Sequence, residues 1–337
     1  MAGLKDVAAL AGVSVSVASR ALTNDVNARI SAETRARIHK VAAELNYVPD
    51  HRARALRLSR AGAIALVVPE VNNAIFGPLH EGVTRACERR ETVVLLGQID
   101  ASDLGRATLA RLIGNGRVDG VVIQRAEQYD DLSLAAMLQV ELPVVLFNSR
   151  LDGHRGSVAL DDRAAVRIAL GHLRELGHRR VGFIAGAPHH DAAARRLAAF
   201  REAAGEWGLD VQEPWIQPGG WEAPAGAEAI TRLIALDDRP TGIVVASVNA
   251  AVGALATAVN AGVKVPQELS MVSVQDAWNA RYTSPPLTTV ALPMAESGER
   301  AAAMLLDHLE GAPLEDVVVT DPAPQLLVRS STAPAMG

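Results

Sequence analysis

The chain has 337 residues, 49% of them apolar and 21% charged, with a formal net charge of −5. That is the balance of a globular protein with room for two or three domains, and it excludes disordered, collagen-like and disulfide-scaffold classes. A single cysteine, Cys87, rules out an internal disulfide framework and suits a reducing, cytoplasmic setting. The longest apolar runs, "AIALVV" at 63–68 and "GIVVA" at 242–246, are far shorter than the roughly twenty residues a membrane helix needs. The start "MAGLKDVAALAGV" has no long apolar stretch and does not read as a secretory signal.

The first informative stretch is "AGVSVSVASRAL" at 11–22. The alternation from Val13 to Val17 has the period of a half-buried strand, yet its flanks have the period of helices. Leu4, Val7, Ala8 and Ala11 lie on one helical face, and Ala18, Ala21 and Leu22 continue that spacing downstream. Gly12 can end one helix in the left-handed conformation, and Ser14 can cap the next by accepting from the amides of Ser16 or Val17. Helix, glycine and helix within about twenty residues is the pattern of a helix-turn-helix. Ser16 and Arg20, four apart, then share a face with Val15 beside them. In a major groove Arg20 can bond a guanine edge, Ser16 either base type, and Val15 a thymine methyl. The same residues also allow a small Ala-rich helix pair with a solvated arginine.

A third helix is expected in "SAETRARIHKVAAEL", capped by Ser31, with Ile38, Val41, Ala42 and Leu45 on one face. Pro49 breaks it. "HRARALRLSR" follows, rich in arginine with little to pack in isolation, and reads as a hinge helix that forms conditionally. Residues 1–60 hold ten Lys/Arg against five Asp/Glu, a charge of +5; from totals of 33 and 38, the remainder holds 23 against 33, a charge of −10. A basic head on an acidic body is the footprint of a chain that meets polyanions at one end.

From Ala63 onward buried strands alternate with amphipathic helices. Strands are expected at 63–68, 92–97, 118–124, 143–148, 180–185, 241–246, 270–274 and 287–291. Helices are expected near 77–89, 103–114, 131–139, 162–176, 192–207, 224–236, 249–261 and 294–310. The alternation implies an α/β, doubly wound fold with parallel sheets covered on both faces, as one large sheet or as two lobes. Two lobes would place a ligand between them at the carboxyl ends of the strands.

At this point the chain resembles the LacI/GalR family of bacterial transcription regulators. The resemblance runs from residue 3 to about 329 and rests on "KDVAALAGVSVSVASRAL", "SAETRARIHKVAAELNYVPDHRARAL", "HLRELGHRRVGFIAG" and "VPQELSMVSVQDAWNARYTSPPLTTV", in that order and spacing. It implies a helix-turn-helix DNA-binding domain over 1–48, a hinge helix and linker over 49–61, and a two-lobed effector-binding and dimerisation core over 62–330, similar to periplasmic binding proteins. The N-lobe would take about 62–160 and 292–320, the C-lobe about 161–291 and 321–330. By resemblance Val15, Ser16 and Arg20 read bases and Ser19 contacts phosphate, with Tyr47 among the DNA contacts. Leu56, flanked by Ala53, would be an apolar wedge in the minor groove, opening a base step at a cost of about a few kcal/mol that the extra contact of bent DNA offsets. Effector contacts would come from Asn73 and Phe76 in "NNAIF", Gln124, Asn148, Arg196, Trp221 in "GGWEAP", Ser247 and Gln275.

The departures carry expectations of their own. Gly3 and Val17 stand where the family has a small hydroxyl residue and Asp50 where it has Asn, changes that should weaken phosphate binding; "TNDVNARIS" carries a two-residue expansion. Val248 and Gln275 stand where sugar-responsive members have acids. With Arg125 and Arg196 near the expected cleft, an anionic effector such as a sugar acid or sugar phosphate joins neutral sugars on the list. No Walker loop, G-x-G-x-x-G or nucleophile elbow points to an enzyme, and the adjacent histidines of "HHDAAARR" at 189–196 suit capping better than a metal. No cofactor is implied. The competing readings are a secreted sugar-binding protein, against which the missing signal and basic head argue, and an α/β enzyme. The whole implies a cytoplasmic, homodimeric repressor on near-palindromic DNA. The tail "SSTAPAMG" lacks the heptads of a tetramer-forming coiled coil.

Overall fold

The computed structural model describes residues 2–22, 28–47, 60–99 and 114–336. Ala53, Leu56, Asp50, the hinge segment, most of the expanded loop and nearly all of the helix expected at 103–114 lie outside the described residues. The chain forms two compact units, 1–61 and 62–337.

The first unit contains α1 (Leu4–Leu10), α2 (Val15–Leu22) and α3 (Ala32–Glu44). The alternating segment is therefore helical. Gly12 takes φ +64° between α1 and α2, and Ser14 Oγ accepts from the Val17 amide at 3.2 Å. Ser31 caps α3, its Oγ accepting from Thr34 N at 3.2 Å. Val7, Ala8, Ala11, Ala18, Ala21, Ile38 and Ala42 form the core, small residues that let three short helices approach closely. Val13 and Val17 pack against that core while Val15 is 41% exposed, so the alternation records one outward valine between two inward ones. Arg35 and Arg37 donate to the carbonyls of Ala21 and Ala11, each at 3.1 Å, satisfying acceptors that the ends of α2 and α1 leave open.

The second unit holds two six-stranded sheets. One has the order β11-β5-β4-β3-β1-β2 and uses β1 (Ala63–Val68), β2 (Val93–Gln98), β3 (Val121–Gln124), β4 (Val144–Phe147), β5 (Ser157–Leu160) and β11 (Asp316–Val319). All its pairings are parallel. The other has the order β12-β10-β9-β8-β6-β7 and uses β6 (Val181–Ile184), β7 (Ile216–Gln217), β8 (Gly242–Val245), β9 (Ser270–Val274), β10 (Thr288–Ala291) and β12 (Gln325–Leu327), with only β10–β12 antiparallel. Each sheet thus takes its last strand from the carboxyl-terminal segment, so the chain passes between lobes three times.

Among the described residues the helices of this unit are α4 (Phe76–Glu88), α5 (Asp131–Met137), α6 (Asp162–Glu175), α7 (Asp191–Glu206), α8 (Ala223–Ile234), α9 (Val248–Asn260) and α10 (Met294–Leu309). Among the described residues no helix is long and apolar enough to cross a membrane. Strands such as "AIALVV" are buried at every position because helices cover both faces of a parallel sheet. One helix pair in each lobe packs through reciprocal glycines. A Cβ on Gly82 of α4 would strike the Ala295 carbonyl of α10, and one on Gly298 the Leu79 carbonyl. In the other lobe Gly226 of α8 meets Ala250 and Gly253 of α9 meets Ala223.

Candidate functional site

In the head, the start of α2 presents Val15, Ser16 and Arg20 to solvent. Arg20 Nη2 donates to Ser16 Oγ at 2.8 Å, which confirms that the i, i+4 spacing puts both on one face. Ser19 is half-buried. Tyr47 is also half-buried and packs on the head's core, its amide donating to the Ala42 carbonyl at 2.8 Å.

The second unit contains a cavity of about 270 Å³ at the carboxyl ends of the strands of both sheets. Gln124 ends β3, Asn148 and Gln275 directly follow β4 and β9, and Ser247 comes two residues after β8. Asn148 and Gln275 have φ of +48° and +76°, a left-handed backbone costing on the order of 1–3 kcal/mol each and found mostly where a binding site requires it. Asn73 and Phe76, at the start of α4, and Trp221, before α8, complete the set. Seven of the eight expected effector residues therefore line one cavity.

Arg196 is the exception. It lies fully buried beside the cavity wall, with Nε donating to Asp162 Oδ1 at 2.6 Å and Nη1 donating to the Ala246 carbonyl. Its guanidinium sits 5.5 Å from the centroid of the Trp221 ring. Asp162, at the start of α6, is completely buried and also accepts from Arg195 Nη2 at 2.6 Å. Burial lowers the pKa of Arg195 while Asp162 opposes the shift.

Sequence reasoning missed the carboxylates. Glu70, Glu127 and Glu222 all line the cavity, facing Arg125, the one arginine among the described residues that lines it. That arginine is 1% exposed and gives Nη1 to Asp131 at 2.7 Å and Nε to the Tyr129 carbonyl at 2.6 Å, while its buried Nη2 has no hydrogen-bond partner among the described residues. Glu222 accepts from Asn73 at 3.2 Å and Asn249 at 3.1 Å. Glu127 accepts from the Trp221 amide at 3.3 Å. Burial pushes the Glu127 carboxyl up, the Trp221 bond offsets part of that, and neighbouring Glu222 adds to it. The acids replaced by Val248 and Gln275 are thus supplied from other loops, and both arginines that suggested an anionic effector pair with carboxylates, Arg125 with Asp131 and Arg196 with Asp162, each keeping one Nη2 without a partner among the described residues. Three carboxylates around one partly engaged guanidinium weigh toward a neutral ligand over a sugar acid or sugar phosphate.

A helix-turn-helix with an outward polar face, joined in one chain to a two-lobed body with a polar cavity, defines a ligand-responsive transcription regulator. Residues 3–50 match the lacI family of bacterial regulatory proteins and residues 170–332 a periplasmic binding protein-like domain. The HTH-type transcriptional repressor CytR of Escherichia coli K12 is 30% identical over 311 residues, 92% of this chain and 90% of that protein. The HTH-type transcriptional repressor PurR of Proteus mirabilis is 32% identical over 337 residues, covering 99% and 97%. A LacI family transcriptional regulator from Mycobacterium smegmatis, known from a crystal structure, is 48% identical with a TM-score of 0.78 over 81% of this chain and all of that one. The chain belongs to the lacI family. It is a DNA-binding transcriptional repressor with an effector-binding body, and not an enzyme.

Proposed function

We propose that this repressor binds a near-palindromic operator of a catabolic operon as a homodimer, and that a neutral, hydroxyl-rich molecule of sugar type controls it. The parts are a head over 1–48, a hinge over 49–61 and a core over 62–330. Val15, Ser16 and Arg20 read base edges in each half-site, Ser19 and Tyr47 contact the backbone, and Leu56 with Ala53 opens the centre.

The effector lies between Asn73, Phe76, Gln124 and Asn148 of one lobe and Trp221, Ser247 and Gln275 of the other. The observation that carries this reading is the composition of the cavity: three carboxylates and several carboxamides line it with the Trp221 ring, against Arg125, whose Nη1 is paired with Asp131. Carboxylates accept from several hydroxyls at once, carboxamides both donate and accept, and an indole face covers the apolar side of a sugar ring. A ligand contacting both lobes favours the geometry in which both reach it. It shifts DNA affinity only by its differential affinity for the two lobe arrangements.

The test is a calorimetric titration of the full chain with neutral mono- and disaccharides, each against its sugar acid and sugar phosphate. Binding of a neutral sugar at least tenfold tighter than its anionic counterparts supports the reading. Preference for an acid or phosphate overturns it.

A further inference from the structure

Trp221 is held more firmly than a side chain whose only task is to fill space. Its carbonyl accepts from Ser247 Oγ at 2.6 Å, its amide donates to Glu127, and its indole Nε1 donates to His190 Nδ1 at 2.9 Å. Gly186 leaves room for the ring, since a Cβ there would come within 2.5 Å of Cη2. His190, the residue preceding α7, is 4% exposed, and its Nε2 lies 2.9 Å from the carbonyl of Ala126, in the loop after β3. Trp221 and His190 belong to one lobe and Ala126 to the other.

The chemistry of these contacts leaves one tautomer. An indole N–H only donates, so Nδ1 must be the unprotonated nitrogen; Nε2 then carries the hydrogen and donates to the carbonyl across the cleft. The bond to Ala126 selects the very tautomer able to receive Trp221. When the lobes part, that selection is lost, and the alternative tautomer would set an N–H against the indole N–H. Burial agrees with a neutral ring, lowering the pKa to about 4.

We propose that His190 is a positioning residue of the effector site, orienting the Trp221 ring through a tautomer that the opposite lobe selects, so that the stacking wall is in place only when the lobes are closed. This rests on reading the cavity as the effector site. The imidazole itself does not line the cavity; it acts through Trp221.

The experiment uses the full chain and no ligand, so its outcome is separate from the effector titration. Indole ¹⁵N-labelled protein is compared as wild type, His190→Gln and His190→Leu, with the Trp221 signal assigned by Trp221→Phe. The glutamine carboxamide retains an acceptor and a donor; leucine retains neither. Hydrogen exchange of the Trp221 indole is expected to be slow in wild type and His190→Gln and at least tenfold faster in His190→Leu. In parallel, spin labels at Leu132→Cys and Val259→Cys, exposed positions in different lobes, report lobe separation. Native Cys87 is buried and its thiol is pushed up to about 11, so it escapes labelling. The distance distribution is expected to broaden in His190→Leu and to narrow again in His190→Gln. Unchanged indole exchange in His190→Leu overturns the proposal, and so does an unchanged distance distribution. Should that variant not fold, Trp221→Phe tests the selection without the indole: His190 ¹⁵N shifts must show the Nε2-protonated tautomer in both wild type and the variant, because the Ala126 carbonyl selects it, and a mixture of tautomers in the variant overturns the proposal.

Discussion

Replacing Asp162 by alanine removes the buried carboxylate on which two guanidiniums converge. In wild type Asp162 accepts from Arg196 Nε at 2.6 Å and from Arg195 Nε and Nη2 at 3.1 and 2.6 Å. Arg195 keeps Asn148, at 2.9 Å, and Asp191 as partners. Arg196, completely buried, would keep only the Ala246 carbonyl, because its Nη2 has no hydrogen-bond partner. Removing one partner of a buried ion pair leaves the other charge uncompensated, at a cost of about 3–5 kcal/mol. Asp162→Asn keeps an acceptor for one guanidinium but loses the charge, so about half that cost is expected. At about 2–3 °C per kcal/mol for a unit of this size, the alanine variant should melt on the order of 10 °C lower by scanning calorimetry. The Trp221 fluorescence should shift as well, since the Arg196 guanidinium loses its anchor beside that ring. A melting temperature within about 2 °C of wild type in Asp162→Ala would refute the reasoning, because both arginines would then have other partners of equal worth.

Arg20→Ala should weaken specific operator binding by about 1–3 kcal/mol and relax preference at one base pair while leaving random DNA nearly unaffected; gel-shift titrations on both substrates check this. Gly82→Ala should destabilise the core by about 1–3 kcal/mol through overpacking against Ala295, whereas Gly205→Ala, at an open position in α7, should stabilise it by up to about 1 kcal/mol; urea unfolding distinguishes the signs. His190, faced by Arg125, His189 and Asp131, stays neutral in the folded protein down to about pH 4, so between roughly pH 6.5 and 4 the unfolded chain binds the extra proton and stability falls as the pH drops. Between pH 6.5 and 5 this amounts to about 1.5 kcal/mol that His190→Gln should not lose, measured by urea unfolding at both values.

The head was legible because its signals are local. Ser14, Ser31 and the valine alternation need only their neighbours to be interpreted, and the four-residue spacing of Ser16 and Arg20 fixes that they share a face. Strands such as "AIALVV" were legible because burial on both faces removes polar residues from the run. The strands that escaped, β5, β7, β11 and β12, have two to four residues, and β7, β11 and β12 lie at sheet edges where one side needs no partner. Glu127 and Glu222 escaped for another reason. Each acquires its place from partners far along the chain, Trp221 and Asn73, and no spacing rule reports such a meeting. Arg196 shows the converse. Its position in a motif suggests a ligand contact, and no motif reveals that buried Asp162 holds its Nε while its Nη2 has no partner among the described residues.

The central claim is that the basic amino-terminal unit reads DNA sequence while the body senses a small molecule. Selection from a random oligonucleotide pool by the full chain at low ionic strength, repeated with Ser16→Ala/Arg20→Ala, tests it most directly. The account expects a near-palindromic sequence to be enriched by wild type and lost in the double variant. Enrichment of no sequence, or the same sequence from both proteins, would contradict it.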